Sequence, residues 1–434
     1  MMTTILNKAV EKTRWRLIPF MLSLYILAFL DRANIGFAKE SYQIDTGLSN
    51  EAFAMGAGIF FVAYAFLGAP GNLLMKKFGA KQWIGCTTLV WGVLSSAMAF
   101  ADTEFKFLLV RFLLGAAEAG FFPGMIYLTS LWFPAKNRAS VMGLFYMGVP
   151  LALTFGSPLS GALLEMHGFA GHPGWFWMFM IEGVLAVMAG IWTFWYLDNG
   201  PATARFLSAE QKQALIGELA KEEKLKQNSR LRDAFSIPAI WHLGLVYLII
   251  QIGVYGLIFF LPTQVASLLG TKVGFSASLI ASVPWIAAMF GTFFIPRYAD
   301  KTGHLRSIAA FTLLAAGLGI GGSALVASPV LAIGALCFAA VGFIAVQPVF
   351  WTIPTTLLSG SALAAGIGFI NLFGAIGGFL APQIRVAADS MFSNNIAGLL
   401  TLCGITLFGV VAIALLRAKP ETPQLTESRL KTSQ

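Results

Sequence analysis

Twelve stretches of mostly apolar residues recur along the chain, at roughly 17–38, 52–75, 82–101, 107–131, 139–164, 176–197, 239–262, 276–296, 307–327, 330–352, 361–388 and 396–417. Each is near the ~20 residues that an α-helix needs to cross ~30 Å of hydrocarbon. The pattern predicts an all-α membrane protein of twelve transmembrane helices. The connection between helices 9 and 10 is very short, and the junction between 10 and 11 is weakly marked.

One segment breaks the apolar rhythm. Residues 198–238 hold seven basic and six acidic side chains and separate six helices from six. The expected organisation is a six-helix bundle over 1–197, a cytoplasmic linker over 198–238, a second bundle over 239–417 and a tail over 418–434. Within the linker, Ser208 and Gln211 have the spacing of a capping box, and Leu215, Ile216 and Leu219 give the helix that follows one apolar face. The halves echo each other. Gly143-Leu-Phe-Tyr146 precedes Pro158 in helix 5 much as Gly368-Phe-Ile-Asn371 precedes Pro382 in helix 11, and the 2–3 and 8–9 loops are both short and basic around a glycine, Gly79 and Gly303. Two pseudo-symmetric six-helix bundles place a solute pathway at their interface, near the midplane.

Composition agrees. Apolar residues make up 57% of the 434 and charged ones 11%, against about 25% charged in soluble domains, so a water-soluble fold is excluded. The net charge of +9 raises the question of nucleic acid, and its placement answers it. With twelve spans, 23 Lys and Arg fall on the side of the termini and three, Lys39, Lys106 and Lys272, on the other. That bias puts both termini in the cytoplasm and accounts for the basic charge by membrane topology, without nucleic acid. The basic N-terminus followed by an apolar run resembles a signal peptide, but the run has about 22 residues, contains Asp31 and lacks an A-x-A site, so it reads as a retained first helix. Cys86, Cys337 and Cys403 lie in apolar segments at spacings that suit neither a disulfide framework nor a metal.

Charges inside a bilayer cost roughly 2.5–3.5 kcal/mol each on insertion scales, so the few that remain mark function or pairing. Asp31 and Arg32 sit in helix 1 and Glu118 in helix 4, with Arg111 two turns earlier on the same helical face. Carboxylates in a low dielectric hold their protons to higher pH, and the planar guanidinium fork matches a carboxylate. Asp31 and Glu118 are therefore candidates for proton coupling and Arg32 for anion binding, with all three expected to face one cavity. Arg111 either binds substrate or pairs with an acid. Glu182, near the start of helix 6, reads as a hydrogen-bonded helix-end residue. Neutral candidates for reading hydroxyls are Tyr64, Tyr146, Gln264 just beyond helix 7, Gln347, Thr352 and Asn371. Gln347, Trp351 and Thr355 recur every four residues on one face of helix 10, which Pro348 and Pro354 are expected to interrupt.

Phosphate-loop, H-E-x-x-H and Ser/His/Asp patterns do not occur, so neither an ATP-driven pump nor a hydrolase is expected, and no cofactor or metal is implied.

At these residues the chain resembles the major facilitator superfamily, over essentially its whole length. Leu30-Asp31-Arg32-Ala33-Asn34-Ile35, the helix-4 run from Arg111 through Gly115, Glu118 and Gly120 to Pro123-Gly124, and Trp132-Phe-Pro134 followed by Arg138 are similar to the anion:cation symporter family, nearest its enterobacterial carriers of L-rhamnonate, galactonate and hexuronates. The resemblance implies proton-coupled uptake of a small organic anion by alternating access, in a bacterial inner membrane, by a monomer. It implies proton coupling by Asp31 and Glu118, anion binding by Arg32, and substrate contacts from Tyr64 and Asn371. It also implies gating contacts in the 2–3 and 8–9 loops, at Lys76, Lys77, Asp300 and Lys301. The first loop departs from the superfamily pattern, with Lys76 where an acid is expected. The alternatives are an exporter or antiporter of another amphiphile such as a drug, and a non-transporting membrane sensor.

Overall fold

The computed structural model describes residues 2–225, 238–357, 360–394 and 396–416, with some side chains within these ranges also left undescribed. Its helices are α1 Met2–Thr46, α2 Asn50–Phe78, α3 Ala80–Ala97, α4 Glu104–Glu118, α5 Phe121–Trp132, α6 Ala135–Tyr146, α7 Gly148–Leu164, α8 Gly174–Tyr196, α9 Ala209–Leu225, α10 Pro238–Ile258, α11 Leu261–Leu268, α12 Phe275–Thr302, α13 Leu305–Leu325, α14 Pro329–Leu357, α15 Gly360–Met391 and α16 Ala397–Ala414. Eleven helical stretches among the described residues are long and apolar enough to cross a membrane. The twelfth crossing is shared by α4 and α5, end to end across Ala119–Gly120. The twelve-helix reading thus stands, with three spans broken: the fourth (α4–α5), the fifth (α6–α7) and the seventh (α10–α11).

The ends of several elements differ from the apolar pattern for identifiable reasons. Helix α1 has 45 residues, about 68 Å at 1.5 Å per residue, more than a bilayer requires. Its first turns are amphipathic. Leu6, Ala9, Val10 and Thr13 are buried, and this end packs on α9. The capping box forms as the spacing predicts: Ser208 N–H donates to Gln211 Oε1 at 3.1 Å and Gln211 N–H to Ser208 Oγ at 3.3 Å. On α9, Ala214 and Leu215 turn inward, but Ile216 does not belong to the buried stripe. An ion pair, Arg138 Nη2 to Glu222 Oε2 at 2.8 Å, ties α9 to α6. The remainder of the linker, 226–237, and the tail from 417 onward lie outside the described residues.

Both loop glycines end their helices in a conformation that favours glycine, φ 89° at Gly79 and φ 70° at Gly303. Pro348 and Pro354 do not interrupt their span: α14 runs through both. A proline in a buried helix forfeits one backbone bond but is tolerated where neighbouring helices pack around it.

The first six spans meet the last six where α7 packs on α12, α2 on α15 and α1 on α11. Two of these contacts lie toward the end of the bundle opposite the termini, called here the far end. A Cβ at Gly36 would stand 2.7 Å from the Phe259 carbonyl oxygen, so only glycine lets α1 approach the α10–α11 turn this closely. Nearby, Glu165 Oε1 at the end of α7 accepts the Phe275 N–H that opens α12, at 2.9 Å. A carboxylate satisfies a free helix-start donor in this way.

Candidate functional site

A cavity of about 50 Å³ lies between the halves. Seven residues from the first six spans line it (Tyr25, Phe29, Arg32, Phe61, Tyr64, Phe122, Tyr146) and seven from the last six (Tyr247, Gln251, Tyr255, Gln347, Asn371, Gly374, Ala375). The interface position expected from the repeat is therefore where the cavity is. Its volume admits a few waters, whereas small-ligand sites occupy about 300 Å³ or more. Side chains must part before a solute of a dozen heavy atoms enters.

Among the described residues Arg32 is the one cation on the wall. Its Nε donates to Glu118 Oε2 at 2.7 Å, with both side chains buried. Its guanidinium carbon also lies 4.9 Å from the Tyr64 ring centre, 5.3 Å from Phe29 and 5.4 Å from Phe60. Flat aromatic faces around a guanidinium favour its charge where water is scarce. Glu118 Oε1 has no hydrogen-bond partner among the described residues. The pair is thus half-finished: one strong bond and one idle acceptor.

Asp31, adjacent in sequence, turns the other way. Ser95 Oγ on α3 donates to its Oδ1 at 2.6 Å, and Oδ2 has no partner among the described residues. Neither Asp31 nor Glu118 lines the cavity; of the three charges expected to face it together, only Arg32 does. One helical residue turns a side chain by about 100°, so neighbours Asp31 and Arg32 cannot share a face. Glu118 reaches the cavity only through Arg32.

The open alternatives for Arg111 are narrowed by geometry. Its Nε donates to the Gly56 carbonyl on α2 at 3.2 Å, its guanidinium lies 5.0 Å from the Phe60 ring, and it is 1% exposed. It lies outside the cavity wall, and no direct ion pair to an acid forms among the described residues. Glu182 accepts from Asn34 Nδ2 at 3.0 Å and Ser160 Oγ at 2.7 Å, tying α8 to α1 and α7, in keeping with the hydrogen-bonded reading.

Among the neutral candidates, Tyr64, Tyr146, Gln347 and Asn371 line the cavity. Gln264, Trp351 and Thr352 do not. Gln264 falls within α11, where its Nε2 donates to Ser323 Oγ at 3.1 Å. Trp351 packs edge-on against Tyr247, ring centres 4.8 Å apart. Thr352 Oγ1 donates to the Val349 carbonyl of its own helix at 2.6 Å. The side chains of Thr355 and Lys76 lie outside those described. Lys77, Asp300 and Lys301 are exposed at the ends of α2 and α12 and form no ion pair among the described residues.

Sequence reasoning missed Tyr247, Gln251 and Tyr255, which sit at i, i+4, i+8 on α10 and supply three of the seven residues of the cavity's second wall. Their signal was the same four-residue recurrence that singled out Gln347 and Trp351. Tyr25, Phe29 and Arg32 repeat it on α1 at i, i+4, i+7.

A family model described as Major Facilitator Superfamily matches residues 21–382. The chain is 68% identical to the "Inner membrane transport protein RhmT" of Escherichia coli (strain K12), over 98% of this chain and 99% of that one. It is 39% identical to a "Putative tartrate transporter" of Agrobacterium vitis, over 96% of each chain. It is 36% identical to a "Quinolone resistance transporter" of Acinetobacter baumannii, over 95% of each chain.

Proposed function

The chain belongs to the major facilitator superfamily, a multi-pass membrane transporter and not an enzyme, and from that premise we propose that it imports a small sugar acid together with protons. The substrate class is a monocarboxylate such as L-rhamnonate, galactonate or a hexuronate. The membrane is the bacterial inner membrane, as the name of the Escherichia coli relative suggests, with both termini in the cytoplasm on the charge bias.

The observation that carries the reading is the Arg32–Glu118 pair at the cavity wall. With Glu118 ionised, its carboxylate holds the Arg32 guanidinium. A proton arriving on Glu118 cancels that charge and leaves Arg32 as an unmatched cation facing the cavity. A substrate carboxylate then takes the place of Glu118 as its partner. Proton and anion in this way bind the same state better together than apart, which is what coupling requires. Asp31, joined to Ser95 of α3, is the second proton-coupling carboxylate. Tyr64, Tyr146, Gln347 and Asn371, with Tyr247, Gln251 and Tyr255, surround the hydroxyl-bearing part of the substrate. The halves then rock between outward and inward access, with Lys76, Lys77, Asp300 and Lys301, at the ends of α2 and α12 and not in the loops themselves, gating the cytoplasmic side.

The test uses purified protein in liposomes. An imposed inward pH gradient is expected to drive accumulation of labelled L-rhamnonate. Glu118→Gln is expected to lose gradient-driven accumulation while keeping exchange of labelled for unlabelled substrate. Gradient-driven uptake by Glu118→Gln equal to the wild type ends the coupling role.

A second reading draws on the wall itself. Eight of its fourteen residues are aromatic, a surface suited to a planar amphiphile, and one relative carries the name quinolone resistance transporter. Under this reading the chain exports such a compound. Competition decides: a quinolone that blocks L-rhamnonate exchange at lower concentration than galactonate does favours the exporter.

A further inference from the structure

Two basic side chains at the far end stand outside the reading above, Lys39 on α1 and Arg385 on α15. Both lean on one ring. Phe260, at the break between α10 and α11, has the Lys39 Nζ 5.3 Å and the Arg385 Cζ 4.3 Å from its centre. The two charges are therefore closer than the about 10 Å screening length of 0.1 M salt.

Arg385 is 6% exposed yet loosely held. Its Nη1 donates to the Gly256 carbonyl at 3.3 Å. That carbonyl is open because the helix breaks there: the Phe260 N–H turns back to Leu257 instead of Gly256. Arg385 Nε stands 3.9 Å from Asp389 Oδ2, beyond hydrogen-bonding range, and has no hydrogen-bond partner among the described residues. Asp389 Oδ1 is already committed to the Gly398 N–H at 2.7 Å. Lys39 and Arg385 thus stand together at the seam between the halves, with Asp389 acting on both and Glu40 on Lys39, while Arg385 Nε stays without a hydrogen bond among the described residues. Elsewhere at this end Lys106 is paired with Asp102 at 2.6 Å. The remaining charges at this end, at or near helix ends, are mostly acidic (Glu40, Asp45, Glu51, Glu104, Glu165). A buried, under-matched arginine is costly and marks a functional position.

Register connects this seam to the cavity. Lys39 follows Arg32 by seven residues, which places it on the same face of α1, about 10 Å farther along. Helix α2 repeats the interval in the opposite direction. Phe60 lies 5.4 Å from Arg32, and Phe53, seven residues earlier, lies 5.6 Å from Lys39. The antiparallel pair forms two rungs of cation on aromatic ring, one at the cavity and one at the far end.

We propose that Lys39 and Arg385 form an outer docking site for the substrate's carboxylate, which is held there first and then passed two helical turns along α1 to Arg32. The site takes a small monocarboxylate. In the present closed arrangement Phe260 fills the space between the two cations. Separation of α1 from α11 and α15 opens that space to the incoming anion. The proposal rests on the anion-import reading and on the far end being external.

The test measures labelled L-rhamnonate exchange in liposomes at two ionic strengths, about 0.01 M and about 0.15 M, which shorten the screening length from ~30 Å to ~8 Å. The wild type is expected to show a KM that rises with salt. Lys39→Gln is expected to raise KM at low salt by about 5-fold or more, with a smaller change in maximal rate and a flatter salt dependence, as removal of a steering charge does. Lys39→Arg is expected to retain the wild-type KM and salt dependence. Because Arg385 also holds the helix break, Arg385→Gln is measured second and is expected to change KM in the same direction. A Lys39→Gln protein with wild-type KM and salt dependence overturns the docking site. So does a raised KM whose salt dependence is unchanged, or an equal loss in Lys39→Arg, since both point to packing. Failure of the anion-import reading is distinct: the wild type itself would then exchange no sugar acid.

Discussion

Among the described residues, the first six spans bury five acidic or basic side chains within the membrane: Asp31, Arg32, Arg111, Glu118 and Glu182, none more than 6% exposed. The last six spans face the cavity with Tyr247, Gln251, Tyr255, Gln347 and Asn371, all neutral, and keep their buried cation, Arg385, at the far end. The two halves have the same number of spans and opposite chemistry. Rocking changes distances between halves and leaves distances within a half nearly fixed. With Arg32 on α1 and Glu118 on α4, both among the first six spans, the proposed cycle has their separation governed by proton and substrate, not by the rocking itself. Hydroxyl recognition suffers less from being parted, since neutral groups left facing water re-form hydrogen bonds there at little net cost.

The largest expected effect that sharpens this division is at Arg32. Arg32→Gln removes the only cation on the wall and leaves Glu118 buried without its partner, a loss of about 3–5 kcal/mol for a buried pair. Exchange of L-rhamnonate is expected to fall by at least about 100-fold on the same scale; exchange within a few-fold of wild type breaks the assignment of charge chemistry to the first half. Asn371→Ala on the other wall is expected to act through KM, raising it about 10-fold for the loss of roughly 1–1.5 kcal/mol of hydrogen bonding. The rise should shrink for sugar acids lacking one hydroxyl, and an equal rise for every analogue contradicts hydroxyl reading by the second half. Between the halves, Glu165→Gln weakens the acceptor at the start of α12. It is expected to favour the far-end-open state by about 2- to 5-fold, on the 0.3–1 kcal/mol scale of charge at a helix start, read as faster labelling of Ser278→Cys, whose side chain is buried against α7. The smallest effect lies outside the membrane. Ser208→Ala is expected to cost α9 about 1 kcal/mol, seen as faster hydrogen exchange over residues 209–225, with transport unchanged.

Much of the architecture was legible in order along the chain. Apolar length gave the spans because hydrocarbon thickness is fixed, and Gly79 and Gly303 marked helix ends because positive φ suits residues without a Cβ. Ser208 and Gln211 predicted a cap that involves only four neighbouring residues. The breaks at Ala119–Gly120 and Phe259–Phe260 were not visible, because an apolar run reads the same whether its backbone bends or not. Among site residues, Arg32 stood out because a cation in an apolar stretch has few innocent explanations. Tyr247 and Tyr255 did not, because a tyrosine in such a stretch packs against lipid, protein or solute equally well. Gln264 and Thr352 looked alike to Gln347 in sequence, and only their rotation about the helix axis separated them.

What the sequence determined by itself was the number of membrane crossings and the identity of the few buried charges, since these follow from hydration cost residue by residue. What tertiary structure alone decided was partnership. Asp31 and Arg32 are neighbours, yet one turns to Ser95 and the other to Glu118 and the cavity. Lys39 and Arg385 are hundreds of residues apart, yet they rest on one phenylalanine ring. Contacts between helices distant in the chain depend on where every span crosses its neighbours, and no local property of either residue contains that.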